Sequence, residues 1–365
     1  MSTTTSIGSR RELFETFQHT IEGTYDELVE DQELEPGQTM LKTYVIESNV
    51  PAQELSNRVN LNESREVDFD LDELIINHNG DKYRFFLDYE NPRFWTLFTL
   101  EESDDAQNVV DSMVSGVRNG LDFPWIPVEQ QRSLIDLGEF RNIGVNYQAD
   151  KVFSPEYIED RLAFGDLSVR SSGRGTRALF NILDEQEELS SFLSLSSIGI
   201  KRDVGGSFVI ERITDKARFT TSGGDSIQLH LDTVDEVKNR YSELLNRIEE
   251  NHRISYQSVE HGTRINGQPL VIELENEIED VAEFIDGIVT ATNPLRLWGA
   301  KTKLDDQYYK VKGVDLHNND KYTMEISPTW IRLYLDEDAC GNTALRIYSN
   351  LQRHYDSGAK MEVIG

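Results

Sequence analysis

Apolar and polar positions change period several times along the chain, and each change marks an element. Leu13, Phe14, Phe17, Ile21, Tyr25 and Leu28 recur at helical spacing behind Ser9 and Glu12, a pair placed as a capping box. Farther on, "DELIINHNGDKYRFFLDYENPRFWTLFTL" reads as three strands, with Asn79-Gly80 as a hairpin turn and Asn91-Pro92 as a second turn. An acidic cluster, Glu101 to Asp105, then heads a helix with the stripe Ala106, Val109, Val110, Met113 and Val117; carboxylates in a first turn complement the helix dipole.

The same order recurs. "HNNDKY" (His317–Tyr322) echoes "HNGDKY" (His78–Tyr83), and Pro328 with Trp330 answers Pro92 with Trp95. Between them lie two fainter copies. In one, a Gly-Gly turn precedes an alternating run, Ile227, Leu229 and Leu231, then a capping box at Thr233 and Glu236 and a stripe of Val237, Tyr241, Leu244, Leu245 and Ile248. In the other, Asn266-Gly267 turns into Leu270, Ile272 and Leu274, followed by a helix burying Ile278, Val281, Ala282, Ile285 and Ile288.

The expected fold class is therefore α+β, built from repeated βββα-type units, mostly antiparallel sheets each backed by a helix, with a helical insert. The copies are too irregularly spaced for a solenoid. Three segments follow: 1–119, an N-terminal helix plus the first lobe; 120–205, a mainly helical insert with a basic Gly-rich loop; and 206–365, a lobe of three further units.

Composition changes the picture in one direction. Asp plus Glu number 66 against 36 Lys plus Arg, a formal charge of −30, and only 12 of the cations are lysine. Such charge is self-repelling in dilute buffer, and at about 1 M salt the screening length falls to roughly 3 Å. The composition fits a salt-adapted, halophilic protein whose acidity serves solvation. Cys340, the single cysteine, excludes an internal disulfide framework and a Cys-based metal cluster. No apolar run approaches the roughly 18 residues of a membrane span. "SRRELF" carries twin arginines, but no apolar segment follows, so the expected location is cytoplasmic.

Catalytic and metal signals are poor. The seven histidines show no H-x-H, H-E-x-x-H or H-x-x-E-H spacing. Asp68, Asp70 and Asp72 alternate as if on one strand face, without the Gly and Glu of a calcium loop. No catalytic residue, metal ligand or cofactor is assigned, and the chain is expected to be non-enzymatic.

Two binding surfaces stand out instead. "SVRSSGRGTRALFNIL" (Ser168–Leu183) is a basic island without a carboxylate. Arg170, Arg174 and Arg177 surround two glycines, and Thr176 is placed to cap a helix through Ala178, Leu179, Ile182 and Leu183, an arrangement suited to an anion or nucleic acid. Lys201 and Arg202 follow near the wing of an alternative winged helix-turn-helix, whose recognition stretch, Ser190–Ile198, offers no Arg, Asn or Gln to base edges. The second surface is a pair of loops, "LDFPWIP" and "NPLRLWG". Each sets a Trp beside a Pro and supplies hot-spot residue types in Phe123, Trp125, Arg296 and Trp298. The favoured expectation is an interaction or scaffold protein engaging a protein partner through these Trp/Pro loops. The alternative is a nucleic-acid-binding component using the island.

Overall fold

Strand and helix alternate because period-two and period-3.6 segments alternate. The computed structural model describes residues 7–23, 38–57, 59, 61–117, 120–173, 175–186, 189, 191–259 and 262–363. In chain order its elements are α1 (Arg10–Glu22), β1 (Gln38–Ser48), β2 (Leu61–Asp68), β3 (Leu71–His78), β4 (Asp81–Asp88), β5 (Phe94–Glu101), α2 (Ser103–Gly116), β6 (Leu121–Asp122), α3 (Val128–Ser133), β7 (Glu139–Gln148), α4 (Pro155–Arg161), β8 (Asp166–Ser172), α5 (Thr176–Asp184) and β9 (Leu195–Val204). There follow β10 (Ser207–Thr214), β11 (Arg218–Gly224), α6 (Ile227–His252), β12 (Arg253–Val259), β13 (Gly262–Asn266), β14 (Leu270–Glu273), α7 (Val281–Ile288), β15 (Leu297–Asp305), β16 (Tyr308–Asp315), β17 (Lys321–Ile326), β18 (Trp330–Asp336), α8 (Gly341–His354) and β19 (Lys360–Met361). The α+β class holds, with predominantly antiparallel pairing; β12 runs parallel to β18. No helix among the described residues is long and apolar enough to cross a membrane.

Two compact units divide the chain, and each gathers separated stretches. The first comprises Met1–Pro124, Ile135–Phe140 and Gly199–Lys238; the second comprises Trp125–Leu134, Arg141–Ile198 and Asn239–Gly365. This differs from three consecutive segments because β11, far along the chain, hydrogen-bonds to β1 (Thr43 opposite Phe219). The stretch 120–205 is also not mainly helical: it contributes β6 to β9 beside α3 to α5.

In the first unit the strands run β2-β3-β4-β5-β1-β11-β10. Phe94 to Thr99 is continuously buried, Thr96 and Thr99 included, because β5 is covered on both faces. On one side, Ala106, Val109, Val110 and Met113 of α2 pack with Tyr44, Ile46, Phe85, Trp95 and Leu97. On the other, Leu13, Phe17 and Ile21 of α1 pack with Leu41, Leu71, Phe86 and Phe98. Ser9 caps α1 by accepting from the Glu12 N–H (3.2 Å), while the Glu12 carboxylate turns to the Gly8 N–H instead of closing the box. Tyr25 and Leu28 lie outside the described residues. Asn79 and Gly80 both adopt positive φ, and His78 pairs with Asp81, the two-residue hairpin expected of that dipeptide. Asp68, Asp70 and Asp72 do not share a strand, since β2 ends at Asp68 and Asp70 turns at φ 54°. A wholly buried polar relay also lies here: Thr43 Oγ1 is 2.8 Å from His230 Nε2, and His230 Nδ1 is 2.7 Å from Glu211.

Ile227, Leu229 and Leu231 open α6 and are not a strand; the third strand of that meander is β9, which precedes β10. Three apolar residues at period two fit the first turns of a helix as well as a short strand. The winged helix-turn-helix fails for a related reason. Leu195 already belongs to β9, so the proposed recognition helix runs into strand.

In the second unit the strands run β13-β12-β18-β17-β16-β15, with β14 on β18 and β19 on β14. Val311, Tyr322, Met324, Ile326, Ile331, Leu333 and Leu335 form its buried face. The "HNNDKY" turn departs from its echo: Val314 pairs with Lys321, so His317 sits in a longer loop. At the far edge, β12 and β13 form a hairpin whose Tyr256 and Ile265, directly opposite, are 69% and 61% exposed.

Helix α8 is buried nearly all round although rich in polar residues. Its N-terminus borrows its caps. Asp320 Oδ2 accepts from the Cys340 N–H (3.0 Å) and the Thr343 hydroxyl (2.7 Å), and Glu249 accepts from the Gly341 N–H (3.0 Å). Arg346 projects from its middle to the buried Asp315 carboxylate and donates to the Leu295 carbonyl (2.7 Å). Beyond α8, Asp356 accepts the N–H groups of Glu275, Asn276 and Gly358, and burial raises its pKa to about 6.

Two expectations follow. Arg346→Ala strands the Asp315 carboxylate in the interior and should cost about 3–5 kcal/mol, read from urea unfolding, whereas Arg346→Met with Asp315→Leu should recover most of it. Asp356 holds its proton more tightly folded than unfolded. Its contribution to stability is whole below the unfolded pKa near 4 and is lost as pH rises through about 6. Relative to Asp356→Asn, the natural chain should therefore lose about 1 kcal/mol between pH 5 and pH 7.

Candidate functional site

Burying one face of β16 to β18 turns the opposite set of alternate residues outward, and β15, largely exposed beyond Leu297, extends that face. Register fixes their rows. Trp298, Val314 and Lys321 lie in one; Ala300, Lys312, Thr323 and Tyr334 in the next; Thr302, Lys310, Glu325 and Arg332 in a third. Tyr308 and Trp330 close the array, their rings 5.6 Å apart and edge to face. Neighbouring strands are about 4.8 Å apart and alternate residues about 6.7 Å, so every side chain in the array adjoins another.

The chemistry of this face departs from the rest of the chain. Lys310, Lys312 and Arg332 lie around the carboxylate of Glu325, which is 14% exposed, while Lys321 lies two rows away, beside the end of β18 at the exposed Asp336. Lys310 lies 3.5 Å from Glu325 Oε1. Tyr308 and Tyr334 each donate a hydroxyl hydrogen bond to Glu325 Oε2, both at 3.0 Å. Their pKa values are raised, chiefly by burial and then by that carboxylate. Arg332 lies over the Trp330 ring, 4.4 Å from its centre, a cation–π contact. Among the described residues, no ion pair joins Lys312, Lys321 or Arg332 to a carboxylate, in a chain with 66 acids. Trp298 is 57% exposed at the edge, and the small Ala300, Thr302 and Thr323 leave the middle low.

Of the binding-surface residues singled out by sequence, only Trp298 joins this face. Phe123 is buried in the first unit, with Arg218 and Lys216 over its ring. Trp125 falls in the second unit and is half-buried; its backbone N–H donates to the Tyr241 hydroxyl (3.1 Å). Arg296 turns at φ 54° and donates to the Leu316 carbonyl (3.3 Å), closing the loop that leads into β15.

The basic island is divided. Arg174 lies outside the described residues. Arg170 and Arg177 are exposed on β8 and α5 in the second unit, whereas Lys201 and Arg202 fall in the first. Thr176 is not the cap: Gly175 holds that position without a side-chain bond, and Thr176 is buried, 3.1 Å from the Ser171 hydroxyl. Lys201 pairs with Asp203 (3.6 Å) and covers Phe208, while Arg202 donates to Thr233 (3.1 Å). On α5, the anticipated face is not buried; Ala178 and Ile182 are exposed.

Linear density of charge misses the outer sheet face, because its cations come from three strands, one residue in two. A weak compositional signal exists nonetheless: six of the 12 lysines fall between Lys301 and Lys360, of which Lys310, Lys312 and Lys321 lie on this face. Among the described residues, no group of three or more His, Cys, Asp or Glu is placed to hold a metal ion.

The family model described as MJECL33-like protein matches residues 1–365. The chain is 31% identical over 394 residues to the uncharacterized protein MJECL33 of Methanocaldococcus jannaschii, an alignment covering 98% of this chain and 94% of that protein.

The placement of the tryptophan and phenylalanine loops is open to measurement. Phe123→Ala should cost about 3–5 kcal/mol in urea unfolding, whereas Trp298→Ala should stay within about 0.5 kcal/mol of the natural chain.

Proposed function

The chain belongs to the MJECL33-like protein family, and we propose that it is a non-enzymatic binding protein that holds single-stranded nucleic acid across the outer face of β15 to β18. The observation that carries this reading is the coincidence, on one sheet face of a −30 chain, of aromatic rings with Lys312, Lys321 and Arg332, none of which pairs with a carboxylate among the described residues. Bases stack on aromatic side chains whatever their sequence, and lysines track the phosphates between them. Unpaired bases can lie flat on an aromatic sheet face and expose their edges to it, so a single strand is the fitting ligand. Lysine is depleted at protein–protein interfaces, which favours a nucleic acid over a protein partner at this face.

The charge of −30 supports a salt-adapted setting. In concentrated salt, release of counterions contributes little, and stacking on Tyr308, Trp330, Tyr334 and Trp298 supplies most of the affinity. The succession β3-β4-β5-α2 and its counterpart β16-β17-β18-α8 support a common βββα building block. Against it, β14 pairs with β18 instead of closing a meander with β12 and β13.

Fluorescence polarisation with a short labelled single strand tests the reading. Three phosphate contacts, at about −0.7 each, give an expected slope of log K on log salt near −2. Trp330→Ala should lower affinity by about 1–3 kcal/mol, and Lys312→Gln with Lys321→Gln should flatten the slope. Equal binding by the natural chain and the Trp330→Ala variant, or tighter binding to duplex than to single strand, would overturn it.

A further inference from the structure

Resting on the reading of the sheet face as a single-strand platform, we infer that Glu325 reads the identity of the bound base and favours guanine. A carboxylate at the centre of a cationic face repels any phosphate laid over it, so the backbone passes over Lys312, Lys321 and Arg332 and a base lies at Glu325. Both tyrosine hydroxyls go to Oε2, at 3.0 Å each. Oε1 has the Lys310 ammonium, at 3.5 Å, beyond a normal hydrogen bond. An ionised carboxylate has about four lone-pair positions and accepts only, so Oε1 retains capacity for a donor arriving from the base.

The platform also holds that acceptor still. Tyr308 and Tyr334 fix the carboxylate from two strands, and Trp330 packs against Tyr308, so the rings that stack a base and the oxygen that meets its edge form one assembly. Base edges differ in what they offer to an acceptor. Guanine presents two adjacent donors, N1–H and the N2 amino group. Cytosine and adenine present one amino group beside an acceptor nitrogen, and uracil presents N3–H between two carbonyl oxygens that a carboxylate repels. Paired contacts of this kind discriminate strongly between bases. Guanine is therefore ranked first and uracil last.

Three single strands separate this inference from the reading beneath it: oligouridine, the same strand with one guanosine, and the same strand with one inosine, which lacks the N2 amino group. The natural chain should bind the guanosine strand roughly tenfold more tightly than oligouridine, with inosine between. Glu325→Gln should lose most of the preference for guanosine, read as the ratio of its affinities for the guanosine strand and for oligouridine. Equal affinity of the natural chain for all three strands would overturn the role of Glu325 while leaving the platform standing; it requires no variant. A Glu325→Gln protein that keeps the full preference would also overturn it. Failure to bind any of the three would remove the platform itself.

Discussion

A strand buried on one side must present every second residue to solvent, and this constraint organises the second unit. Val311, Met324 and Leu333 enter the core, and the same backbone turns Lys310, Lys312, Glu325 and Arg332 outward. A one-residue slip in any strand would drive charge inward and apolar residues out. The apolar face therefore holds the polar one in register, and the ordered spacing of rings and cations is a product of the core behind them.

Behind that sheet, α8 is a polar helix in a buried place, tolerable because its polar groups are answered one by one. Asp320 and Glu249 reach its free N–H groups from other elements, and Arg346 meets Asp315 at the end of β16. Desolvation keeps the Asp320 pKa raised even so, although the Thr343 hydroxyl and Cys340 N–H oppose the shift. These contacts tie the helix to the very strands that carry the candidate surface. Burial of ionic groups of this sort adds little net stability compared with apolar packing, while removal of one partner is strongly unfavourable.

Local signals were legible where the physics is local. Asn79-Gly80 determines a two-residue hairpin through backbone sterics alone, and Ser9 caps α1 by accepting from the Glu12 N–H, as its place before the apolar stripe implies. The stripe from Ala106 to Val117 is buried as its spacing requires. Signals failed where distant partners decide. Thr176 looks like a cap by type, yet the chain enters α5 one residue earlier and buries the side chain. "HNNDKY" repeats the letters of "HNGDKY" with Asn in place of the second Gly-bearing turn position, and the loop lengthens. The outer face was invisible for a stricter reason: no stretch of chain contains it. Trp298, Lys312, Lys321 and Arg332 become neighbours only after four strands align.

The hairpin of β12 and β13 stands in a different relation to its surroundings. Among the described residues β13 has β12 on one side and no strand on the other in its sheet, and Tyr256 with Ile265 gives that margin an apolar surface. In dilute buffer a charge of −30 keeps copies of the chain apart. Salt that screens this repulsion also strips away the guard over the open margin, leaving the shortness of a five-residue strand as the obstacle to edge-to-edge pairing. Colloidal behaviour and strand geometry are thus coupled at one small corner of the molecule.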